Sequence, residues 1–361
     1  MIPLTDLVLL LTRKAQYILK WRPLDQALQQ LERWPIEQRE PSMQWNLTPS
    51  ESLPHRPLKV LAFENSTLVV HSGIVLHKGS VVSASLKIPS SRMESYEFHR
   101  KGIKCLNLAC PVASMDMVWS SNYYHMLQDG LFALHALKAV PADVPLTVVT
   151  RLKLPAVMLA AYREWLPSRP LIQLENTARV SSPLVVVPPR LEKVHFNGES
   201  IGGLASLPNP IHAFTRRYGK GCKLPESLRR APRLFIGRSG AKWRRLLNET
   251  EVLKLLESRG FLSIPIHMFT NEQQFELFRR AEAIIAVRGA SVANLLAIER
   301  PLRFISLRPT TDGEGKEILE SYVKLGAIAY GEVCGDRQGG NSDFRIEISK
   351  LEAELDRLGL H

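Results

Sequence analysis

The chain has few cysteines, and none is placed where cysteines commonly form a framework. Its 361 residues contain only four, and neither a CxxC pair nor a Cys/His pair with zinc-finger spacing occurs. Four cysteines are too few to cross-link a chain of this length, and structural zinc sites need closely spaced ligand pairs. We therefore expect no disulfide framework, no bound metal and a reducing, cytoplasmic environment.

The N-terminus lacks a long hydrophobic run. Residues 7–11 form the longest apolar stretch there, which is too short to span a bilayer. No basic segment precedes it and no small-residue cleavage site follows, so we expect no signal peptide. Residues 7–21 predict an amphipathic helix. Packing of this helix on its own domain is the favoured interpretation, and docking on a membrane surface is the alternative.

Acidic residues are too scarce to balance the basic ones. The chain has 47 Lys and Arg against 35 Asp and Glu, a net charge of +12. Such a balance suggests an anionic partner, which could be nucleic acid, an acidic membrane surface or a phosphate-bearing substrate. No nucleic-acid-binding motif is recognisable, so we expect no nucleic-acid partner. The hydrophobic fraction of 45% is ordinary for a globular protein, and the length predicts about two domains.

The N-terminal half predicts strands followed by an alternation of strands and helices. Residues 58–86 are β-branched and partly alternating, with Gly73 and Gly79 at turns, as in a small set of strands. An alternating region then favours a largely parallel α/β domain. Its elements are a helix at 122–140, a strand at 146–150, a helix at 155–165, and strands at 171–174 and 184–188. Residues 188–232 contain six prolines and predict a crossover with one helix near 211–218.

The C-terminal half predicts the order β-α-β-α-β-α-β, which is half of a doubly wound fold. In this half, Asn248 and Glu251 suggest a helix start, and Thr270 with Gln273 suggests a capping box. The predicted strands are 234–238, 261–268, 283–287 and 303–307, and the helices are 248–259, 272–281 and 292–298.

Polar residues follow two of these strands at the edge where α/β sheets bind ligands. Arg238 ends the first strand, and Arg288-Gly289-Ala290-Ser291 lies between a buried strand and a helix. Glycine permits close approach to the backbone, a helix N-terminus attracts anions, and arginine binds phosphate through charge-assisted hydrogen bonds. Together they predict a diphosphate pocket.

Four segments resemble glycosyltransferase family 61. Three have the family's C-terminal pattern: RLFIGRSGAKWRRLLNETEVLKLLESRGF, EQQFELFRRAEAIIAVRGASVANLLAI and YVKLGAIAYGEV. Upstream, SSNYYHMLQDGLFALHALK is similar to its N-Y-F-H-W-L-x-D motif, so the resemblance covers about residues 60–330.

The resemblance implies an α/β fold of the GT-B type, with two Rossmann-like domains facing a cleft and a β-rich N-terminal segment. We expect an extension at 1–57, an acceptor-side domain at 58–200 and a nucleotide-sugar-binding domain at 201–361. It also implies an inverting transfer from a nucleotide-sugar donor, often a UDP-sugar, with no obligatory metal or other cofactor. The donor-binding residues would be Arg238, Arg245, Asn248, Glu249, Gln273, Arg288, Gly289, Ala290, Ser291 and Asn294.

His125 is the best candidate for the catalytic base, since histidine titrates near neutrality and Asp129, four residues on, could orient its ring. Alternatively, Asp129 is the base and His125 a sugar contact, or His125 is a packed core or rim residue. Glu249 is either a first-turn acid favoured by the helix dipole or an acceptor for a sugar hydroxyl. Gln273 either caps a helix or contacts the donor.

Arg288 departs from the family's usual His-Gly-Ala, and Met126 replaces the Trp of the first motif. Arginine would supply a permanent cation at this point, and it could equally mark a changed donor or a lapsed activity. The leading hypothesis is a cytoplasmic transferase for surface polysaccharide, with a glycan or lipid-linked acceptor, docked peripherally on the inner leaflet. The alternative is an inactive nucleotide- or glycan-binding module of the same fold.

Overall fold

The structure is a computed structural model, and it describes most of the chain. The described residues are 36–47, 58–70, 73–78, 80–82, 104–116, 122–150, 153–174, 177–189, 194–196, 199–201, 207–229, 232–238, 240–310, 323 and 327–361. The predicted N-terminal helix at 7–21 and the turn at Gly79 lie outside them. No helix in these ranges is long and apolar enough to cross a membrane.

The N-terminal half is built on a mixed sheet. Its strands are β1 (Ile36–Glu37), β2 (Met43–Asn46), β3 (Lys59–Val69), β4 (Ile74–His77), β5 (Ser80–Val82), β6 (Lys104–Asn107), β7 (Val112–Ser114), β8 (Thr147–Thr150), β9 (Leu171–Gln173) and β10 (Thr177–Val187). Their main order is β1-β5-β4-β3-β10-β7-β8-β9, with β2 beside β3 and β6 beside β10.

The expectation of a largely parallel N-terminal sheet is wrong for one side of it. Strand β10 pairs antiparallel with β3 over most of its length, and β3 pairs antiparallel with β2 and β4. Only β6, β7, β8 and β9 continue in parallel from β10. The sequence did not predict the long antiparallel pairing of β10, because only its apolar end at 184–188 was recognised as a strand. The strand begins at Thr177, in a polar stretch that has no strand pattern.

The helical segment predicted at 122–140 is interrupted by a π-helical turn. It consists of α1 (Tyr123–His125), the π-helical turn Met126–Gly130, α2 (Leu131–Ala136) and the 3₁₀ turn Leu137–Ala139. Asn122 caps it by accepting a hydrogen bond from the backbone N–H of Tyr124 at 2.9 Å. Helix α3 (Ala156–Trp165) follows β8, and Pro155 stands at its N-cap.

A crossover containing a bridging helix leads to the second sheet. It contains the hairpin β11 (Val194–Phe196) and β12 (Glu199–Ile201), α4 (Asn209–Arg217) and α5 (Glu226–Arg229). Phe214 of α4 packs its ring 5.1 Å from that of Trp165 in α3, and Thr215 donates to the carbonyl of Leu296 at 2.7 Å. Helix α4 therefore contacts both halves of the chain.

The C-terminal half has the predicted doubly wound order. Its strands are β13 (Arg233–Ile236), β14 (Leu262–Ser263), β15 (Ala283–Val287), β16 (Leu302–Pro309), β17 (Ile328–Gln338) and β18 (Asp343–Arg345). They are arranged β14-β13-β15-β16-β17-β18, and all pair in parallel except β18 with β17. Helices α6 (Glu249–Ser258) and α7 (Asn271–Arg280) connect strands, and α8 (Ile348–Arg357) follows β18.

Two predicted elements of this half differ in type. The strand expected at 261–268 is only the two residues of β14, followed by a 3₁₀ helix at Ile266–Met268, because Pro265 lacks the N–H that a ladder needs. The helix expected at 292–298 is a 3₁₀ helix at Ala290–Ala297 that begins directly after Gly289. The capping box at Thr270 and Gln273 is confirmed.

Alternate residues of the C-terminal strands pack on opposite faces of the sheet. Ala283, Ile285 and Val287 of β15 join the core beneath α6 and α8. Ile284 and Ala286 join the core on the other face, which continues through α4 and the 3₁₀ helix into the N-terminal sheet. This period of two residues is the one expected of a strand covered on both faces.

Candidate functional site

The strand order defines a switch point between β13 and β15. From β13 the chain moves outward to β14 and then returns past β13 to β15. Loops at the carboxyl ends of the two strands therefore diverge there, and such a crevice is where open α/β sheets bind ligands. Arg238 follows β13, and Arg288 with Gly289 follows β15, so the sequence prediction that these residues share one edge is confirmed.

Arg238 and Gly289 are in close contact. A Cβ atom at Gly289 would overlap Nη1 of Arg238, so only glycine leaves room for the guanidinium in this position. The φ of Gly289 is −166°, an ordinary extended value that any residue adopts. Glycine is therefore required here for the close approach of the Arg238 side chain and not for the backbone conformation. The half-exposed residues Arg288 to Ser291 lie between fully buried neighbours on both sides.

Arg238 is a half-buried cation whose side chain bonds a backbone carbonyl. Its Nε donates to the carbonyl of Trp243 at 3.2 Å, and no carboxylate among the described residues pairs with it. Burial lowers the pKa of Arg238, and the like charge of Arg244 lowers it further. Arg244 itself adopts a left-handed conformation with φ 55°. Because a charge that is removed from water needs a partner, Arg238 favours an anionic ligand.

Glu249 lies beneath the turn that follows β13. A Cβ at Gly237 would overlap Oε1 of Glu249, which shows how tightly the carboxylate fits under the chain. Burial raises the pKa of Glu249, while a hydrogen bond from the backbone N–H of Arg238 opposes that rise. Glu249 thus supports the Arg238 turn from below, in the first turn of α6.

Arg288 extends the edge of β15 toward the N-terminal half. Its N–H donates to the carbonyl of Leu307 at 2.9 Å, which continues the ladder with β16. Burial raises the pKa of both Tyr124 and Tyr330, and in each case the positive charge of Arg288 opposes the rise. The guanidinium therefore lies near helix α1 on one side and strand β17 on the other.

A polar cluster on β16 and β17 was not assigned from the sequence. Arg308 donates to Oε1 of Glu332 at 2.8 Å, and Tyr330 donates to Oε2 at 2.8 Å. Although burial opposes ionisation, hydrogen bonds from Arg308, Tyr330 and Cys334 lower the pKa of Glu332 to about 2. The available signal was the alternation of Tyr330 and Glu332, in the closing family segment, with Cys334 directly after it, because alternate residues of a strand share a face.

His125 and Asp129 come together as the sequence predicts. Nδ1 of His125 lies 3.2 Å from Oδ2 of Asp129, and their side chains are 30% and 3% exposed, respectively. Asp129 lies within the π-helical turn, a distortion that is frequent at functional sites. The imidazole is thus partly exposed to solvent, and the buried carboxylate fixes its orientation.

Asn294 and Gln274 connect helix α1 to the C-terminal sheet. The hydroxyl of Tyr123 donates to Oδ1 of Asn294 at 2.8 Å, and the Asn294 amide donates to Oε1 of Gln274 at 3.1 Å. Asn294 is fully buried. It lies in the 3₁₀ helix that begins with Ala290 and Ser291, and its bonds hold that helix against α1 and α7.

Three other predicted donor-binding residues have structural partners. Arg245 forms an ion pair with Asp343, with Nη2 and Oδ2 2.6 Å apart. Asn248 stands at the N-cap of α6, but its side chain exchanges hydrogen bonds with the backbone of Ile346 and does not cap the helix. Gln273 completes the capping box and also donates to the carbonyl of Lys223 at 3.2 Å. These bonds hold the loop after β13 and helix α7 in place around the site.

Ala290 and Ser291 begin the 3₁₀ helix and are half-exposed. The first N–H groups of a helix have no intrahelical acceptor, so those of this turn can donate to a ligand at the switch point. Within the described ranges, no group of three or more His, Cys, Asp or Glu side chains is arranged to hold a metal ion.

Comparison with known proteins identifies the family. No curated protein matches the chain. The sequence model of the glycosyltransferase 61 family matches residues 123–305, just over half of the chain. The match begins at Tyr123 in the helix that carries His125 and ends in β16, so it includes both motifs that meet around Arg288. The chain belongs to glycosyltransferase family 61.

Proposed function

We propose that the protein transfers a sugar, with inversion, from a nucleoside-diphosphate donor bound at the β13–β15 switch point. The observation that carries the proposal is the half-buried guanidinium of Arg238, which no carboxylate among the described residues neutralises and whose pKa is lowered by burial and by the like charge of Arg244. Arg288 adds a third cation, on the residue before the glycine that Arg238 contacts. A diphosphate carries about two negative charges and bonds arginine through several oxygens, so it matches this environment in charge and geometry.

The remaining polar groups suit the two other parts of such a reaction. His125 would accept the proton of the acceptor hydroxyl as that oxygen attacks the anomeric carbon. The bond from this carbon to the diphosphate oxygen would break, and Arg238 and Arg288 would stabilise the charge that develops on the leaving group. Asp129 would hold the imidazole in the tautomer with the proton on Nδ1, so that Nε2 is the nitrogen that takes the proton of the acceptor.

The finer assignments rest on the family and the charge. We propose a UDP-sugar as donor, a glycan or lipid-linked acceptor, and a GT-B arrangement in which the two sheets face one cleft. A role in surface polysaccharide synthesis at the cytoplasmic side of the membrane would use the net charge of +12 for peripheral contact with anionic lipids.

The donor site is tested by a thermal-shift panel of nucleoside diphosphates and nucleotide sugars on three chains. Wild type should be stabilised by at least one uracil nucleotide, because a ligand that binds the folded state raises the Tm. In Gly289→Ala the new Cβ displaces Arg238, and we expect binding about 10–100-fold weaker. Gly340→Ala is the matched control, since a Cβ there meets open space. Equal binding by all three chains would overturn the assignment.

Arg288 in place of the family histidine also permits a protein that binds a nucleotide without turnover. His125→Ala separates these functions. For a transferase, this variant should bind the donor with unchanged Kd and lose about 100-fold or more of the transfer rate. A wild-type chain that binds a nucleotide sugar, yet neither transfers nor hydrolyses the sugar with any acceptor, would instead support the inactive binding module.

A further inference from the structure

We infer that Tyr123 is a positioning residue that fixes His125 and Asp129 in relation to the Arg288 loop through a partly buried hydrogen-bonded junction. The junction consists of Tyr123, Asn271, Gln274 and Asn294. This inference rests on the proposed function, because it assigns Tyr123 a role in aligning the two parts of that site.

The junction joins three separate elements. Tyr123 in α1 donates to Asn294 Oδ1 at 2.8 Å and accepts from Nδ2 of Asn271 at 3.4 Å. Asn294, in the 3₁₀ helix, donates to Gln274 of α7 at 3.1 Å, and Gln274 in turn donates to the carbonyl of Phe269 at 3.0 Å. The bonds among Tyr123, Asn271, Asn294 and Gln274 cross between elements, so they fix the relative positions of α1, α7 and the 3₁₀ helix.

Because Asn294 is buried, breaking the bonds of the junction is costly, and this favours one position of α1 on the 3₁₀ helix. Asn294 is fully buried, and an unpaired amide or hydroxyl in its place would lose the bonds it could make to water. Burial also raises the pKa of Tyr123, so the phenol stays protonated and continues to donate over the physiological range. Sliding α1 along the 3₁₀ helix would break at least two bonds at once, which favours a single register.

The junction is close to both parts of the site along the chain. Tyr123 lies in the same helical turn as His125, and Asn294 lies in the 3₁₀ helix that begins after Gly289. A shift at the junction therefore moves the proposed base relative to Arg288 directly. Because a misplacement of about 1 Å can cost roughly 100-fold in rate, a network of this kind affects turnover more than ligand affinity.

The test compares Tyr123→Phe with Tyr162→Phe in the full-length chain. Both remove one tyrosine hydroxyl and keep the ring. The Tyr162 hydroxyl donates to the carbonyl of Arg169 within the N-terminal half, so its loss leaves the junction intact. For Tyr123→Phe we expect kcat about 10–100-fold lower, with donor KM within about twofold of wild type. For Tyr162→Phe, both constants should remain near wild type.

A second measurement does not require activity. Hydrogen exchange should become faster in Tyr123→Phe at residues 122–130 and 290–297 together, and in Tyr162→Phe at neither segment. If kcat and exchange are both unchanged in Tyr123→Phe, or exchange rises without any fall in kcat, the positioning role is wrong. If wild type transfers no sugar while exchange responds as expected, the junction is a structural link and the proposed function is what fails.

Discussion

Arg288 places a permanent positive charge where the family motif has a titratable histidine. Arginine does not deprotonate in proteins, and the guanidinium lies near the phenols of Tyr124 and Tyr330. The contribution of Arg288 to the affinity for a donor diphosphate should therefore not depend on pH. The family residue would behave differently, because the ordinary pKa of histidine is about 6.5.

Arg288→His should make donor binding depend on pH. Below about pH 6 the imidazole is charged, and the Kd for a UDP-sugar should lie within a few-fold of wild type. Above about pH 8 the imidazole is neutral, and binding should weaken about tenfold, the loss of one charge-assisted contact. Calorimetric titration of both chains from pH 5.5 to 8.5 with the same donor cancels the ligand's own ionisation. Parallel profiles would show that residue 288 does not contact the diphosphate.

The residues whose positions could be predicted from the sequence are those that directly follow strands. Arg238 and Gly289 were assigned to one edge because the carboxyl ends of parallel strands meet there, whatever the side chains do. The partners of Arg245 and Asn248 could not be predicted, since Asp343 and Ile346 lie 98 residues away in sequence. These contacts depend on the path of the loop after β13 along the C-terminal segment, and no local pattern encodes that path.

Strands β16 and β17 are joined by an ion pair that contributes to stability as well as to the site. The side chains of Arg308 and Glu332 are 7% and 14% exposed, and their positions on adjacent strands let the carboxylate bond Tyr330 and Cys334 as well. The π-helical turn that carries Asp129 is the other element that sequence periodicity missed, because one extra residue in a turn scarcely alters an apolar pattern.

Glu332→Gln should lower the free energy of unfolding by about 3–5 kcal/mol, because it removes the carboxylate charge that pairs with the buried Arg308 cation. The double variant Arg308→Met/Glu332→Gln should recover most of that loss. Denaturant unfolding at pH 7 measures all three chains. A single variant that is no less stable than the double variant would show that the pair is not a coupled unit.

The same pair predicts the sign of a pH effect. The pKa of Glu332 is lowered from 4.5 to about 2, so its stabilisation is complete above pH 4.5 and is lost as the pH falls through 2. The difference in free energy of unfolding between wild type and Glu332→Gln should therefore narrow between those two pH values. A difference that stays constant across this window would contradict the assignment.

The two sheets share one hydrophobic core. Buried side chains continue from Val60 and Ala62 of β3 through α4 to Phe304 of β16 without a break. Helix α4, which the sequence assigned to the C-terminal domain at 201–361, packs Phe214 against Trp165 and places Arg217 in an ion pair with Glu164. The domain boundaries at 57/58 and 200/201 remain a prediction.

A shared core predicts that the whole molecule unfolds in one cooperative transition. Circular dichroism, which reports both sheets, and tryptophan fluorescence, which includes Trp165 at the shared surface, should give coincident curves. Phe214→Leu should weaken the packing by about 1 kcal/mol and move both curves together to lower temperature. Two domains with separate cores would behave differently. Loss of the Phe214 ring would then separate the two unfolding curves, because the C-terminal sheet would unfold independently. Two resolved transitions in wild type would show that the core, although continuous, does not couple the two sheets.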